Sequence, residues 1–211
     1  MTKAFTLNAV PTTQPGCVLF PDALNQAEQV ALVKALREVL KATPLFQPVM
    51  PRTGKPLSVR MSNCGPLGWV ADKAGYRYQR LHPVNGEPWP AIPDSLLNLW
   101  QAVVPDAPDP EACLINWYDP DAKMGLHQDR DEETFDAPVV SLSLGDDALF
   151  KLGGTQRGGK MQSIRLTSGD VLVLGGEGRL AFHGVTRIYP GTSTLLDAPG
   201  RINLTLRRVR T

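Results

Sequence analysis

The strongest constraint on this chain is written in its second half. From Ala112 onward it runs as short apolar or alternating segments, CLINWY, VVSLSLG, ALFKLGG, SIRLTSGDVLVLGG and INLTLRRV, separated by Gly, Asp and Pro. Such runs are rich in the β-branched and apolar residues that suit a pleated, half-buried surface, so they predict strands. The nineteen Gly and nineteen Pro among 211 residues point the same way, because each breaks regular backbone or marks a turn. Many short strands at similar spacing predict a mainly β fold, a sandwich or double-sheet jelly roll rather than a βαβ architecture.

Two helices are expected ahead of that region. Asp22 to Lys41 places Leu32, Val33, Leu36, Val39 and Leu40 at three- and four-residue steps, with Asp22 or Asn25 available as cap. Ser95 to Val104 does the same with Leu96, Leu97, Trp100, Val103 and Val104, started at Asp94 or Ser95 and stopped by Pro105.

Charged residues at 20% and apolar residues at 42% belong to an ordinary globular composition, and this length suits a single domain over 1–211. The opening MTKAFTLNAVPTTQPG lacks the apolar run of a secretion signal, and no stretch is long and apolar enough for a membrane span. Cys17, Cys64 and Cys113 are odd in number and far apart, which suggests neither a disulfide framework nor a thiolate zinc site. They read as small buried hydrophobes in a cytoplasmic protein. Net charge is only +1, but between Met50 and His82 six cations (Arg52, Lys55, Arg60, Lys73, Arg77, Arg80) face the single acid Asp72, marking a candidate phosphate-facing surface.

The chemistry is concentrated in three places. His127 and Asp129 form an H-x-D pair, which in extended backbone shares one face at about 7 Å spacing and can chelate one ion. A histidine hydrogen-bonded to a nearby carboxylate leaves the same signature. His183 lies in the apolar segment LAFHGV, where an unpaired imidazole is costly and coordination would relieve the cost. Two imidazoles and one carboxylate make the facial triad of non-haem Fe(II) oxygenases, with three positions open for cosubstrate and O2. In the tail RINLTLR, strict alternation puts Arg201, Asn203, Thr205 and Arg207 on one strand face. Pointed inward, that row needs an anion, and a dicarboxylate gripped by Arg through paired charge-assisted bonds would supply it. A solvent-facing polar strand side is the competing reading.

Asn116-Trp117-Tyr118, His127-Gln128-Asp129, His183 and Arg201 to Arg207, in this order, resemble the AlkB family of 2-oxoglutarate-dependent alkylation-repair dioxygenases. The resemblance runs from about Val18 to Arg208 and includes Met61 to Gly65 and Leu67-Gly68-Trp69. It implies a double-stranded β-helix (jelly roll) over 111–211, preceded within 1–110 by helices and a nucleotide-recognition lid. It implies that His127, Asp129 and His183 ligate Fe(II). Asn116 and Tyr118 would hydrogen-bond 2-oxoglutarate and Arg201 would pair with its distal carboxylate, with Asn203 and Arg207 in the same cosubstrate strand. Trp69, Tyr76, Arg77, Tyr78 and Arg157 fall on substrate-binding positions. An aromatic cluster in a basic segment is also what stacking on an extruded base requires, although such a cluster serves ordinary packing just as well.

Asp131 sits too far along an extended backbone to share the ion, and is expected to face a cationic N-methylated base; a solvated acidic turn with Glu132 and Glu133 is the alternative. Two positions depart from the family pattern, Leu174 where a Trp is common and Ile202 where a Tyr is. His82 matches no ligand position and reads as a loop histidine. The implied activity is oxidative demethylation of bases such as 1-methyladenine and 3-methylcytosine by a monomer. Its substrate would be single-stranded or duplex DNA, with RNA open, and 2-oxoglutarate would be converted to succinate and the methyl carbon released as formaldehyde. Other substrates, or a catalytically silent jelly-roll module, are the competing readings.

Overall fold

The structure is a computed structural model that describes residues 7–211, so the first six residues of the opening segment lie outside the described residues. In chain order the strands are β1 (Val10–Pro11), β2 (Cys17–Phe20), β3 (Arg60–Cys64), β4 (Gly68–Asp72), β5 (Gly75–Gln79), β6 (Ala112–Tyr118) and β7 (Met124–His127). They continue as β8 (Val139–Gly145), β9 (Asp147–Leu152), β10 (Gln162–Leu166), β11 (Val171–Leu174), β12 (His183–Tyr189) and β13 (Arg201–Arg207). Helices α1 (Gln26–Ala42) and α2 (Asp94–Val103) precede β3 and β6.

Seven strands form one sheet in the order β1-β2-β11-β8-β13-β6-β3, and four form a second, β10-β9-β12-β7. Every pairing is antiparallel, and the two sheets pack face to face as a jelly roll. Strands β4 and β5 stand apart as a two-stranded ribbon. The sequence run SIRLTSGDVLVLGG resolves into two strands in different sheets. Its corner is Thr167 to Asp170, where Gly169 adopts φ 95° and the Asp170 carboxylate accepts from the Thr167 amide at 2.7 Å.

Alternation along the large sheet decides what each face does. Ile202, Leu204 and Leu206 of β13, with Ile115 of β6 and Leu142 of β8, turn toward Leu32, Leu36, Leu96, Leu99 and Trp100 of the helices. This is a core in which each fully buried Leu contributes on the order of 1.5–3 kcal/mol. The opposite face meets the small sheet, where Leu114, Val139, Leu172 and Leu174 pack with Phe150, Leu152, Leu166 and Val185.

Helix α1 starts later than Asp22. Asn25 caps it, accepting from the Glu28 amide while the Glu28 carboxylate accepts from the Asn25 amide, a reciprocal arrangement that satisfies two orphan donors. Helix α2 begins at Asp94 behind Pro93 and gives way at Val104, ahead of Pro105. All three cysteines are free and buried. Among the described residues no helix is long and apolar enough to cross a membrane.

Candidate active site

Strands β7 and β12 pair so that His127 and His183 lie in register. They approach closely because Gly184 follows His183: a Cβ there would stand 2.6 Å from the Met124 carbonyl oxygen and 2.9 Å from that of Gly125. The imidazoles sit 4.4 Å apart, centroid to centroid. Strand β7 ends at His127, so the H-x-D pair straddles a strand end instead of continuing along it. Asp129 turns back to place its two oxygens 3.6 Å from His127 Nε2 and 3.6 Å from His183 Nε2. One ligand atom from each of the three residues falls within 4.8 Å of the others.

The Nδ1 atoms are already committed. His127 Nδ1 lies 2.9 Å from the Gly125 carbonyl and His183 Nδ1 2.9 Å from that of Ala181. A carbonyl can only accept, so both Nδ1 atoms donate and both Nε2 lone pairs are presented to the shared point, the tautomer a metal needs. Burial pushes the His183 pKa down to about 4, which keeps that ring neutral. Burial also opposes charge on His127, but the Asp129 carboxylate outweighs it and holds that pKa above its ordinary value. Asp129 itself is held well below the usual carboxylate range: burial raises its pKa, and Arg207 and the two histidines more than reverse that.

The triad opens into a cavity of about 110 Å³ between the sheets, lined also by Asn116, Tyr118, Arg201, Asn203 and Arg207, all predicted from sequence, and by Ser141 and Thr205. Arg201 is 1% exposed, and its guanidinium donates to Ser143 Oγ at 2.5 Å and to the Asp146 carbonyl at 3.2 Å. Among the described residues no carboxylate forms an ion pair with it, and burial pushes its pKa down to about 10. Asn203 donates to Ser141 Oγ at 2.7 Å. Arg201 Nε, Asn116 Oδ1 and Arg207 Nε are buried without a hydrogen-bond partner. A buried cation with idle polar atoms around it is a donor set that fits an anion, and 2-oxoglutarate supplies two carboxylates.

Over the mouth, Trp69 of β4 donates from Nε1 to Asp131 at 2.7 Å, and both residues line the cavity. Tyr76, 51% exposed, stacks on Trp69 with centroids 5.6 Å apart. Tyr76, Arg77, Tyr78 and Arg157 lie outside the cavity lining. Arg77 is engaged by Asp72 through two bonds of 2.9 and 2.7 Å, and Arg157 sits over the Phe182 ring at 4.8 Å. The Tyr78 hydroxyl points into the protein, donating to Glu132 at 2.6 Å and accepting from Arg207 at 2.9 Å.

Leu174 lines the cavity, so its departure from the family pattern alters the chamber itself, whereas Ile202 faces the helix-side core. His82 is a loop histidine that ties its segment together. Its Nδ1 accepts from the Val84 and Asn85 amides, Nε2 donates to the Pro44 carbonyl, and the ring packs edge-on against Phe46 and Trp89. Sequence reasoning missed Glu132 and Arg179, both buried beside Asp129. Glu132 was hidden by its acidic neighbours, and the only signal for Arg179 was a cation placed just before an apolar segment.

Comparison with known proteins agrees with this geometry. Residues 16–207 match the model of the 2OG-Fe(II) oxygenase superfamily. The chain is 49% identical over 200 residues to an alpha-ketoglutarate-dependent dioxygenase AlkB homolog of Caulobacter vibrioides, covering 95% of this chain and 90% of that one. It is 43% identical over 203 residues to the alpha-ketoglutarate-dependent dioxygenase AlkB of Escherichia coli strain K12, covering 94% and 92%. The solved structure of OsALKBH1 superposes with a TM-score of 0.79 at 33% identity, over 94% of this chain and 100% of that one. The family's cofactor set is Fe(II), 2-oxoglutarate and O2, and the chain belongs to the 2-oxoglutarate- and Fe(II)-dependent oxygenases and, within them, to the AlkB family.

Proposed function

We propose that the protein oxidatively removes N-alkyl groups from nucleic-acid bases, such as cationic 1-methyladenine and 3-methylcytosine, in DNA or RNA. The carrying observation is one cavity that holds the His127, Asp129 and His183 cluster, an unpaired buried Arg201, and the Trp69 and Asp131 pair at its mouth. Bound iron with 2-oxoglutarate and O2 supplies the oxidising power to hydroxylate the N-alkyl carbon, after which the aldehyde leaves and the base is restored.

The chain's own residues do the placing. His127, Asp129 and His183 would hold the metal, while Asn116, Tyr118, Arg201, Asn203 and Arg207 form the cosubstrate wall. Arg201 would take the distal carboxylate in a region where its charge is little screened. Trp69 and Tyr76 would stack on an extruded base. The Asp131 carboxylate would favour a base that carries positive charge, which an N1-methylated adenine or N3-methylated cytosine does. Arg52, Lys55, Lys73 and Arg80 are exposed on the lid side of the sequence and would meet phosphates, with Arg77 and Arg157 at the edges.

In this reading the chain works as one domain, residues 1–110 supplying helices and lid and residues 111–211 the catalytic core, as a cytoplasmic monomer. The test is mass spectrometry of methylated single-stranded DNA, duplex DNA and RNA oligonucleotides incubated with the protein, Fe(II), ascorbate and 2-oxoglutarate. Loss of the methyl mass with matching succinate is expected in at least one arm, and the arms rank the polymers. Succinate production that no methylated oligonucleotide stimulates contradicts the proposal.

A further inference from the structure

Behind the metal ligands, Asp129 and Arg207 of the cavity are joined to buried charges, Glu132 and Arg179, to which the proposed reaction gives no part. The Glu132 side chain is fully buried, and it stands between two buried guanidiniums. Arg207 Nη1 donates to its Oε1 at 3.0 Å, and Arg179 Nη2 lies 3.3 Å from its Oε2. Each arginine also holds Asp129 directly. Arg207 Nη2 is 2.7 Å from Asp129 Oδ1, and Arg179 Nη1 donates to the Asp129 main-chain carbonyl at 2.8 Å. Arg179 further donates from Nε to the Ala137 carbonyl at 2.9 Å, so it spans the loop from Asp129 to Ala137. A fifth member comes from the lid: the Tyr78 hydroxyl bonds both Glu132 and Arg207.

Two acids and two arginines make this group neutral, which is what permits its burial. Remove the Glu132 charge and, among the described residues, the carboxylate left to Arg207 is Asp129, the one a metal must use. A guanidinium drawn further onto that carboxylate competes with the metal, and an Arg179 without its anion loosens the backbone that carries the ligand. The Tyr78 hydroxyl fixes the Glu132 oxygen that faces Arg207. Its sequence position suggested contact with the substrate, but its hydroxyl is spent inside.

We infer that Glu132 and Tyr78 are positioning residues for the metal ligand Asp129, acting through Arg207 and Arg179, so that the lid is bonded to the metal centre. This rests on the proposed assignment of His127, Asp129 and His183 as ligands. It requires neither nucleic acid nor turnover, and is therefore tested with metal alone.

The experiment is an anaerobic titration of the full chain with Mn(II), followed by calorimetry, on the parent, Glu132→Gln, Tyr78→Phe, the double variant and His127→Ala, with thermal midpoints recorded alongside. Glu132→Gln is expected to weaken Mn(II) on the order of ten- to a hundredfold, as loss of a ligand's supporting partner does. Tyr78→Phe keeps the ring and should weaken it about two- to fivefold, the worth of one such hydrogen bond. Because both act through the same contact, the double variant should lose no more than Glu132→Gln alone. Should Glu132→Gln fail to fold, Tyr78→Phe decides the matter. Unchanged Mn(II) affinity in folded Tyr78→Phe and Glu132→Gln, with binding abolished in His127→Ala, overturns the inference while leaving the ligand assignment standing. Binding that survives His127→Ala removes the ligand assignment and the inference with it.

Discussion

The metal cluster and the lid ribbon are both made from antiparallel strands, yet they are stabilised in opposite ways. Around His127, Asp129 and His183 the ligand side chains are held by specific partners, from the two Nδ1 bonds to the clamp of Arg207 on the buried Asp129. In β4 and β5 the contacts are a half-exposed aromatic stack and an ion pair whose side chains are 39% and 42% exposed. The first region holds its ligands through several separate contacts, which suits chemistry that depends on placement. The second has few anchors, an exposed bond from Trp69 to Asp131 and part-buried ones from Asn63 to Trp69 and from Tyr78 to Glu132, and so can adapt to a base and its backbone.

That contrast can be broken at either end. Replacing His183 by Ala should cut succinate formation by on the order of 10³-fold or more, equivalent to about 4 kcal/mol, while oligonucleotide affinity is retained; rates and gel-shift binding measured side by side check it. Arg201→Ala leaves the cosubstrate without its buried cation, and should raise the KM for 2-oxoglutarate on the order of a hundredfold, about 3 kcal/mol for two charge-assisted bonds. Trp69→Ala should weaken binding of a methylated oligonucleotide roughly ten- to a hundredfold, about 1–3 kcal/mol for one stacking platform, with Mn(II) affinity unchanged by calorimetry.

The pH dependence sharpens the comparison from the metal side. His127 has a raised pKa and so carries a proton nearer neutrality than His183, which stays neutral down to about 4. Metal must displace the His127 proton, so affinity falls as pH falls. Below the His127 pKa and above about 5 the slope should be about tenfold per pH unit, one proton per metal and not two. Calorimetric titrations in that range give the slope. The smallest effect belongs to the lid, where Asp72→Asn should lower the thermal midpoint by only about 1–2 °C, as an exposed pair is worth about 0.5 kcal/mol in a chain of this size.

Legibility in the sequence followed the same division. Alternation in RINLTLR correctly placed Arg201, Asn203, Thr205 and Arg207 on the cavity side, because a strand with one face against a core leaves no freedom of register. His127, Asp129 and His183 were legible because histidines and a carboxylate are costly in apolar surroundings unless something coordinates or pairs them. Tyr78 and Glu132 were not, since their roles depend on a contact across 54 residues that no local pattern encodes. The end of β7 at His127 was also invisible, for nothing local distinguishes a strand that continues to Asp131 from one that turns back at Asp129. The α1 cap at Asn25 and the α2 start at Asp94 fell within the expected candidates, the first decided by the capping box.

The most direct test is an anaerobic titration with Fe(II) and 2-oxoglutarate, followed by the visible charge-transfer absorbance of the chelate they form together. One equivalent of iron should develop the band in the parent, and Asp129→Ala and His183→Ala should each lose it. A band of full intensity in either variant would contradict the claim that these three side chains hold a single ferrous ion.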